Sequence, residues 1–176
     1  PDDVLRLLLH MGVHMVVTIS RAVVLAFTLS LIGCGAANSS AATSADAPHG
    51  STSNAKDALN VSLQSLDGTE QSLSKASAGA RFVVVEFFSH HCPCQAAHDK
   101  RMIDLYESYK SKGVAFVLVD AEASATPERD RDEVKRRSYP FPLFIDRGAK
   151  LASRLDAEFA THVVILDLAS GEVVYR

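Results

Sequence analysis

Cysteine is scarce in this chain. Three cysteines among 176 residues form an odd set, so they cannot all be paired in a disulfide scaffold, and each needs its own explanation. An excess of one charge is also absent. Lys and Arg number 18 against 21 Asp and Glu, a formal net charge of -3, and no basic patch of the kind that would mark a nucleic-acid partner is present. There are no long runs of like charge and no internal repeats, which excludes charged tails and solenoid arrays. Apolar runs of membrane-spanning length are missing too: the N-terminal stretch Ala22 to Ile32 has about 11 residues where a spanning helix needs about 20. What is present is a 47% hydrophobic chain, enough for one domain of ordinary size plus extensions.

The N-terminal apolar stretch follows Arg21 and ends in Leu31-Ile32-Gly33-Cys34. A positive charge and then a short apolar core is the pattern of a signal peptide. Leu-Ile-Gly-Cys resembles the lipobox of bacterial lipoproteins, in which the cysteine is acylated on its thiol and becomes the new N-terminus. The resemblance implies that residues 1–33 are a lipoprotein signal peptide and that Cys34 carries the lipid. The domain would then be held to a membrane of the bacterial cell envelope, in the periplasm or on the outer face. The alternative is an ordinary cleaved signal beside an incidental Cys34. The chain opens on Pro1 and holds Met11 and Met15; a start at Met15 gives a compact signal peptide and leaves residues 1–14 as untranslated upstream sequence. From Gly35 to about Ala58 the composition falls to Ser, Ala, Thr, Asn and Gly, which cannot bury enough surface to offset its ordering entropy. Residues 34–58 are therefore expected to be a disordered tether, with a root-mean-square span of roughly 27 Å for about 24 residues.

The folded domain is expected over 59–176. Asn60 to Leu66 alternates polar and apolar residues before Asp67-Gly68 and reads as an edge strand or hairpin arm. Arg81 to Phe88 and Val114 to Asp120 are buried strands. Pro93 to about Lys112 is a helix stopped by Gly113. Pro127 to Ser138 is a charged helix with proline at a favoured first position. Leu143 to Asp146 is a short strand and Ala149 to Leu155 a short helix. Thr161 to Asp167 and Glu172 to Tyr175 form a terminal hairpin around Ala169-Ser170-Gly171. The order predicts a three-layer α/β/α domain with a mixed central sheet.

The centre of the chain is Val83-Val84-Val85-Glu86-Phe87-Phe88-Ser89-His90-His91-Cys92-Pro93-Cys94-Gln95. An apolar strand runs into two histidines and two cysteines, and then the period changes: Cys94, His98, Met102, Leu105 and Tyr109 recur at steps of four, four, three and four, one face of a helix. Cysteines at a strand-to-helix junction meet free N–H groups and the positive end of the helix dipole, which favour the nucleophilic thiolate; His91, when protonated, adds to this. Glu86 lies in a strand of Val and Phe. Buried and ionised without a partner, it would cost several kcal/mol, so it is expected to have a raised pKa and a task unless it faces solvent at a sheet edge.

These residues resemble the active-site segment of thioredoxin-like proteins. Glu86 stands six residues before Cys92, where thioredoxins carry a buried acid, and Phe87-Phe88 match the aromatic pair that follows it. His91 replaces the usual tryptophan, and Cys-x-x-Cys is shortened to Cys-x-Cys, so that Cys92 takes the nucleophile's place and Gln95 that of the resolving cysteine. The element order is similar to the redoxin and peroxiredoxin group, including TlpA-type oxidoreductases, over about two thirds of the chain. Members finish with a further helix, which implies a truncated sequence here. Thioredoxins place a cis-proline where this chain has Thr161, and a trans peptide is expected there.

Three functions are compatible with the site. As a thiol-disulfide oxidoreductase, the favoured one, the protein would use Cys92 to attack a disulfide-containing protein substrate and Cys94 to resolve the mixed disulfide, with Glu86 serving the thiols and an electron donor in the envelope. On a helix, residues two apart point to nearly opposite sides, so a bond between the sulfurs requires a non-helical turn at Pro93. As a thiol peroxidase it would reduce peroxide, since Ser89-His90-His91-Cys92 fits the Ser/Thr-x-x-Cys half of the peroxiredoxin motif, although Val85 stands where that motif has proline. As a Cu(I) chaperone it would use His90, His91, Cys92, Cys94 and His98, resembling the His-Cys-Pro of Sco-type proteins. Packing alternatives stand beside these: Cys94 as a small buried thiol, expected to be at least partly covered, and His98 as a core residue. The favoured function needs no cofactor and no resident metal.

Overall fold

The computed structural model describes residues 52–176. Strand β3 (Phe82–Phe88) lies near the middle of a seven-stranded sheet and is buried along its whole length. The other strands are β1 (Ser62–Ser65), β2 (Glu70–Ser72), β4 (Val114–Asp120), β5 (Leu143–Ile145), β6 (Val163–Asp167) and β7 (Glu172–Tyr175), in the spatial order β2-β1-β5-β4-β3-β6-β7. β3, β4 and β5 run parallel, while β1, β2, β6 and β7 join by antiparallel pairing. The expected mixed sheet with helices is what the chain forms.

Alternation along β3 sends its side chains to two faces. Val83, Val85 and Phe87 join Val117, Val119, Val164 and Leu166 in the core under helices α1 (Thr52–Ala58) and α5 (Lys150–Arg154). Glu86 and Phe88 lie on the opposite face, toward α3 (Pro93–Tyr109) and α4 (Pro127–Arg137); α2 (Leu73–Ala76) is a single turn. Tyr106, Phe116, Tyr139 and Phe141 stack on one another there, with ring centroids 5.4–6.0 Å apart.

The domain begins before the expected boundary at residue 59. Helix α1 occupies the last part of the segment expected to be a tether, and Ala55 and Ala58, three apart on one face, are buried against the core. The β6–β7 turn comes close to the same helix at a glycine: a Cβ at Gly171 would stand 2.5 Å from Lys56 Cγ. Residues 1–51, on which the expected signal peptide, Cys34 and the rest of the expected tether fall, lie outside the described residues. No described helix is long and apolar enough to cross a membrane.

β1 is a hairpin arm but not an edge strand, because β2 pairs outside it across the turn at Gly68. Ser138 and Ala149 bound α4 and α5 in left-handed backbone conformations. The peptide before Thr161 is trans, as expected.

Candidate active site

β3 ends at Phe88, and after four residues the chain enters α3. Cys92 is the N-cap of that helix, with extended backbone (φ -80°, ψ 120°), and Pro93 is its first residue. Because Cys92 is not helical, the opposition expected of residues two apart does not apply. Cys92 and Cys94 are joined by a disulfide, with their Cα atoms 5.2 Å apart.

Cys94 does not lie on the buried stripe of α3. It is exposed, Cys92 is half-buried, and the residue that begins the stripe is Gln95, followed by Met102, Leu105 and Tyr109. Helical phase explains the correction. At 100° per residue, the seven steps from Gln95 to Met102 return to within about 20°, whereas the eight from Cys94 leave it about 80° away. The packing alternative for Cys94 thereby falls.

Gln95 is fully buried and joins the disulfide-bearing turn to the acid beneath. Its Nε2 donates to Glu86 Oε1 at 3.0 Å and lies 3.3 Å from the Tyr139 hydroxyl and 3.4 Å from Asp99 Oδ1. Its Oε1 accepts from the Ser89 backbone N–H at 3.3 Å. Asp99 in turn accepts from the Tyr139 hydroxyl and from Arg137.

Glu86 is 0% exposed, on a strand paired on both sides, so the solvent-facing alternative is excluded. Burial raises its pKa from 4.5 to about 7, against the lowering effect of the Gln95 hydrogen bond; Asp99 adds to the rise and Arg137 opposes it. Glu86 Oε2 has no hydrogen-bond partner. His98 Nδ1 stands 3.7 Å from Oε1, and the His98 side chain is 35% exposed, which connects the buried acid toward solvent.

The remaining expected residues divide into two groups. Ser89 Oγ donates to Glu122 Oε1 and accepts from the His91 N–H at 3.2 Å. His90 and His91 also turn toward Glu122 rather than toward His98. Thr161 lies in the turn before β6 and extends the pairing with β3: its N–H donates to Phe87 O at 2.7 Å, and Phe87 N–H donates to His162 O at 2.9 Å. It holds φ +65°, in the left-handed region, and Phe159, 63% exposed, stacks on His162 beside it.

Asp99, Arg137, Tyr139 and Glu122 were not foreseen as part of the site. Asp99 carried the one available signal, four residues from Gln95 on the same helix face; the others come from distant segments.

A family model described as Redoxin matches residues 47–176. Among solved structures, an uncharacterized conserved protein from Geobacillus kaustophilus is 26% identical with a TM-score of 0.59, over 65% of this chain and 63% of its own length. The chain thus spans just under two thirds of that protein. A thioredoxin-like protein from Aeropyrum pernix is 22% identical, TM-score 0.57, over 68% of this chain and 81% of its own. A secreted disulfide oxidoreductase from Mycobacterium tuberculosis, described as homologous to E. coli DsbE, is 17% identical, TM-score 0.56, over 67% and 83%. No curated protein matches the chain. The fold is that of thioredoxin-like proteins, with Cys92 and Cys94 bonded at its strand-to-helix junction.

Proposed function

The chain belongs to the Redoxin family, and on that premise we propose that it is a thiol-disulfide oxidoreductase of the bacterial cell envelope. The observation that carries this is the Cys92–Cys94 disulfide at the entrance of α3, above the buried Glu86. In the reduced protein, the Cys92 thiolate attacks one sulfur of a partner's disulfide. A Cys92–partner bond forms and the partner's second sulfur leaves as thiolate. The Cys94 thiolate then attacks Cys92 Sγ, closes the intramolecular disulfide and releases the partner's other thiolate. Two electrons pass to the partner, and an envelope dithiol donor returns them. Glu86 takes up and returns the thiol proton, with a pKa near the ambient pH that suits it for both directions. The Ser89 hydroxyl is engaged by Glu122 and the His91 N–H, which supports disulfide exchange over peroxide reduction.

The test is insulin reduction by the full chain carrying Cys34→Ser, driven by dithiothreitol. Cys92→Ser should fall to background, and Cys94→Ser should accumulate a covalent adduct on Cys92, seen by mass spectrometry. Full activity in Cys92→Ser refutes the assignment; consumption of hydrogen peroxide faster than insulin by the parent would replace it with peroxidase chemistry.

A further inference from the structure

His90, His91 and Glu122 bring three metal-ligating atoms within 4.8 Å of one another beside the disulfide-bearing turn. The sheet dictates the meeting. β3 and β4 run parallel with Phe88 opposite Asp120, so the second residue past each strand end, His90 and Glu122, emerge side by side. His90 and His91 lie in the turn after β3, where the alternation of a strand no longer holds, and their imidazole rings lie with centroids 3.5 Å apart and both face the same carboxylate oxygen.

The distances fit coordination better than hydrogen bonding. His90 Nδ1 is 3.4 Å and His91 Nε2 3.9 Å from Glu122 Oε2. His90 Nδ1 is buried yet has no hydrogen-bond partner. Ligands about 2.0–2.1 Å from a tetrahedral ion are separated by about 3.3–3.4 Å, so atoms so spaced close onto one ion with small shifts. Glu122 is held from behind: Ser89 donates to its other carboxylate oxygen, and its own N–H donates to Asp120 Oδ1 at 2.8 Å. Arg129 approaches Glu122 Oε2 at 3.8 Å, but its nearer partner is Asp120, at 2.7 Å, with Asp130 at 3.3 Å. The surroundings thus retain negative charge to balance a cation.

We infer that His90, His91 and Glu122 form a mononuclear site for a divalent transition ion of the zinc type. Two imidazoles and one carboxylate suit Zn²⁺, Co²⁺, Ni²⁺ or Cu²⁺; they are too nitrogen-rich for Mg²⁺ or Ca²⁺, and they lack the thiolates that select Cu(I). The site differs from a thiol-based copper centre because it is complete while both sulfurs are tied in the disulfide.

The test is isothermal titration of Zn²⁺ into the full, untagged chain with Cys34→Ser and the disulfide oxidised, which keeps every thiol out of the measurement. One saturable site of micromolar affinity is expected. Glu122→Gln and His91→Asn should each weaken it roughly tenfold or more, since even indirect partners of metal ligands change affinity by about 10–100-fold. The His91 side chain is 69% exposed, so His91→Asn preserves the fold and decides the matter alone if Glu122→Gln misfolds. No saturable binding in the parent, or binding by His91→Asn equal to the parent's, overturns the site.

Discussion

Replacing Glu86 by glutamine isolates the energetic burden of the buried acid. The carboxyl titrates at 4.5 in ordinary surroundings and near 7 here, and burial is the main cause. At about 1.4 kcal/mol per pKa unit, the ionised form is disfavoured in the folded protein by about 3 kcal/mol. Below pH 4.5 the group is protonated in folded and unfolded chains alike, and the burden vanishes. Between 4.5 and 7 the unfolded chain ionises first, so stability falls as pH rises, and above 7 the full penalty applies. Glutamine has the shape of the protonated acid, and its carbonyl oxygen can still accept from Gln95 Nε2. The stability advantage of Glu86→Gln over the parent should therefore grow from near zero at pH 4 to about 3 kcal/mol at pH 8. Urea unfolding of the oxidised proteins, followed by far-ultraviolet circular dichroism because the chain has no tryptophan, measures it. The same variant should slow thiol exchange near neutral pH, because an amide cannot accept the transferred proton. A stability difference that stays constant across this pH range would refute the burial account, and unchanged exchange rates from pH 6 to 8 would refute the proton-transfer role.

Gln95→Leu should destabilise the domain by about 2–4 kcal/mol at neutral pH in the same unfolding assay, because Glu86 and the Ser89 N–H lose buried partners; it should also move the Glu86 transition to higher pH, since the lost hydrogen bond lowers that pKa. Thr161→Pro should cost about 3 kcal/mol or more, because the ring requires φ near -65° and removes the N–H donated to Phe87 O, whereas Thr161→Gly should be neutral or stabilising by up to about 1 kcal/mol; thermal unfolding separates the two. Expressed in a bacterium, the parent should sediment with membranes after alkaline washing and Cys34→Ser should not; equal membrane retention would remove the lipid anchor.

The elements that carry a strong apolar period were legible. β3 and β4 are seven-residue strands, each apolar at all but one position, and their positions agree with expectation to within one residue. β2 was missed because Glu-Gln-Ser has no apolar signal and is a strand only through its pairing with β1. α1 was missed because Ser, Asn and Ala read as a tether, while two alanines three apart suffice to seat a short helix on the core. At the site, Glu86 was legible as a charge in an apolar strand. Gln95 was recognised as occupying the resolving cysteine's place, but its burial was not, because taking Cys94 as the start of the stripe shifted the helical phase by one residue. Glu122 was hidden for a topological reason: its nearness to His90 follows from the parallel register of β3 and β4 and from nothing local in either segment.

The shift from Cys-x-x-Cys to Cys-x-Cys rearranges the site more deeply than its length suggests. With Gln95 in the resolving position, the second sulfur moves one residue back along α3 and out to solvent, while the vacated inward position holds an amide that can donate and accept at once. A sulfur there could not hold both the Glu86 carboxyl and the Ser89 N–H; Gln95 does so with its two ends. The amide therefore ties the turn bearing His90, His91 and Cys92 to the floor of the site. Protonation at Glu86 leaves the Nε2 donor an acceptor in either state, so the turn stays anchored while the acid titrates. The second sulfur, freed from packing, lies at the surface, while the acid stays buried with the partly exposed His98 beside it.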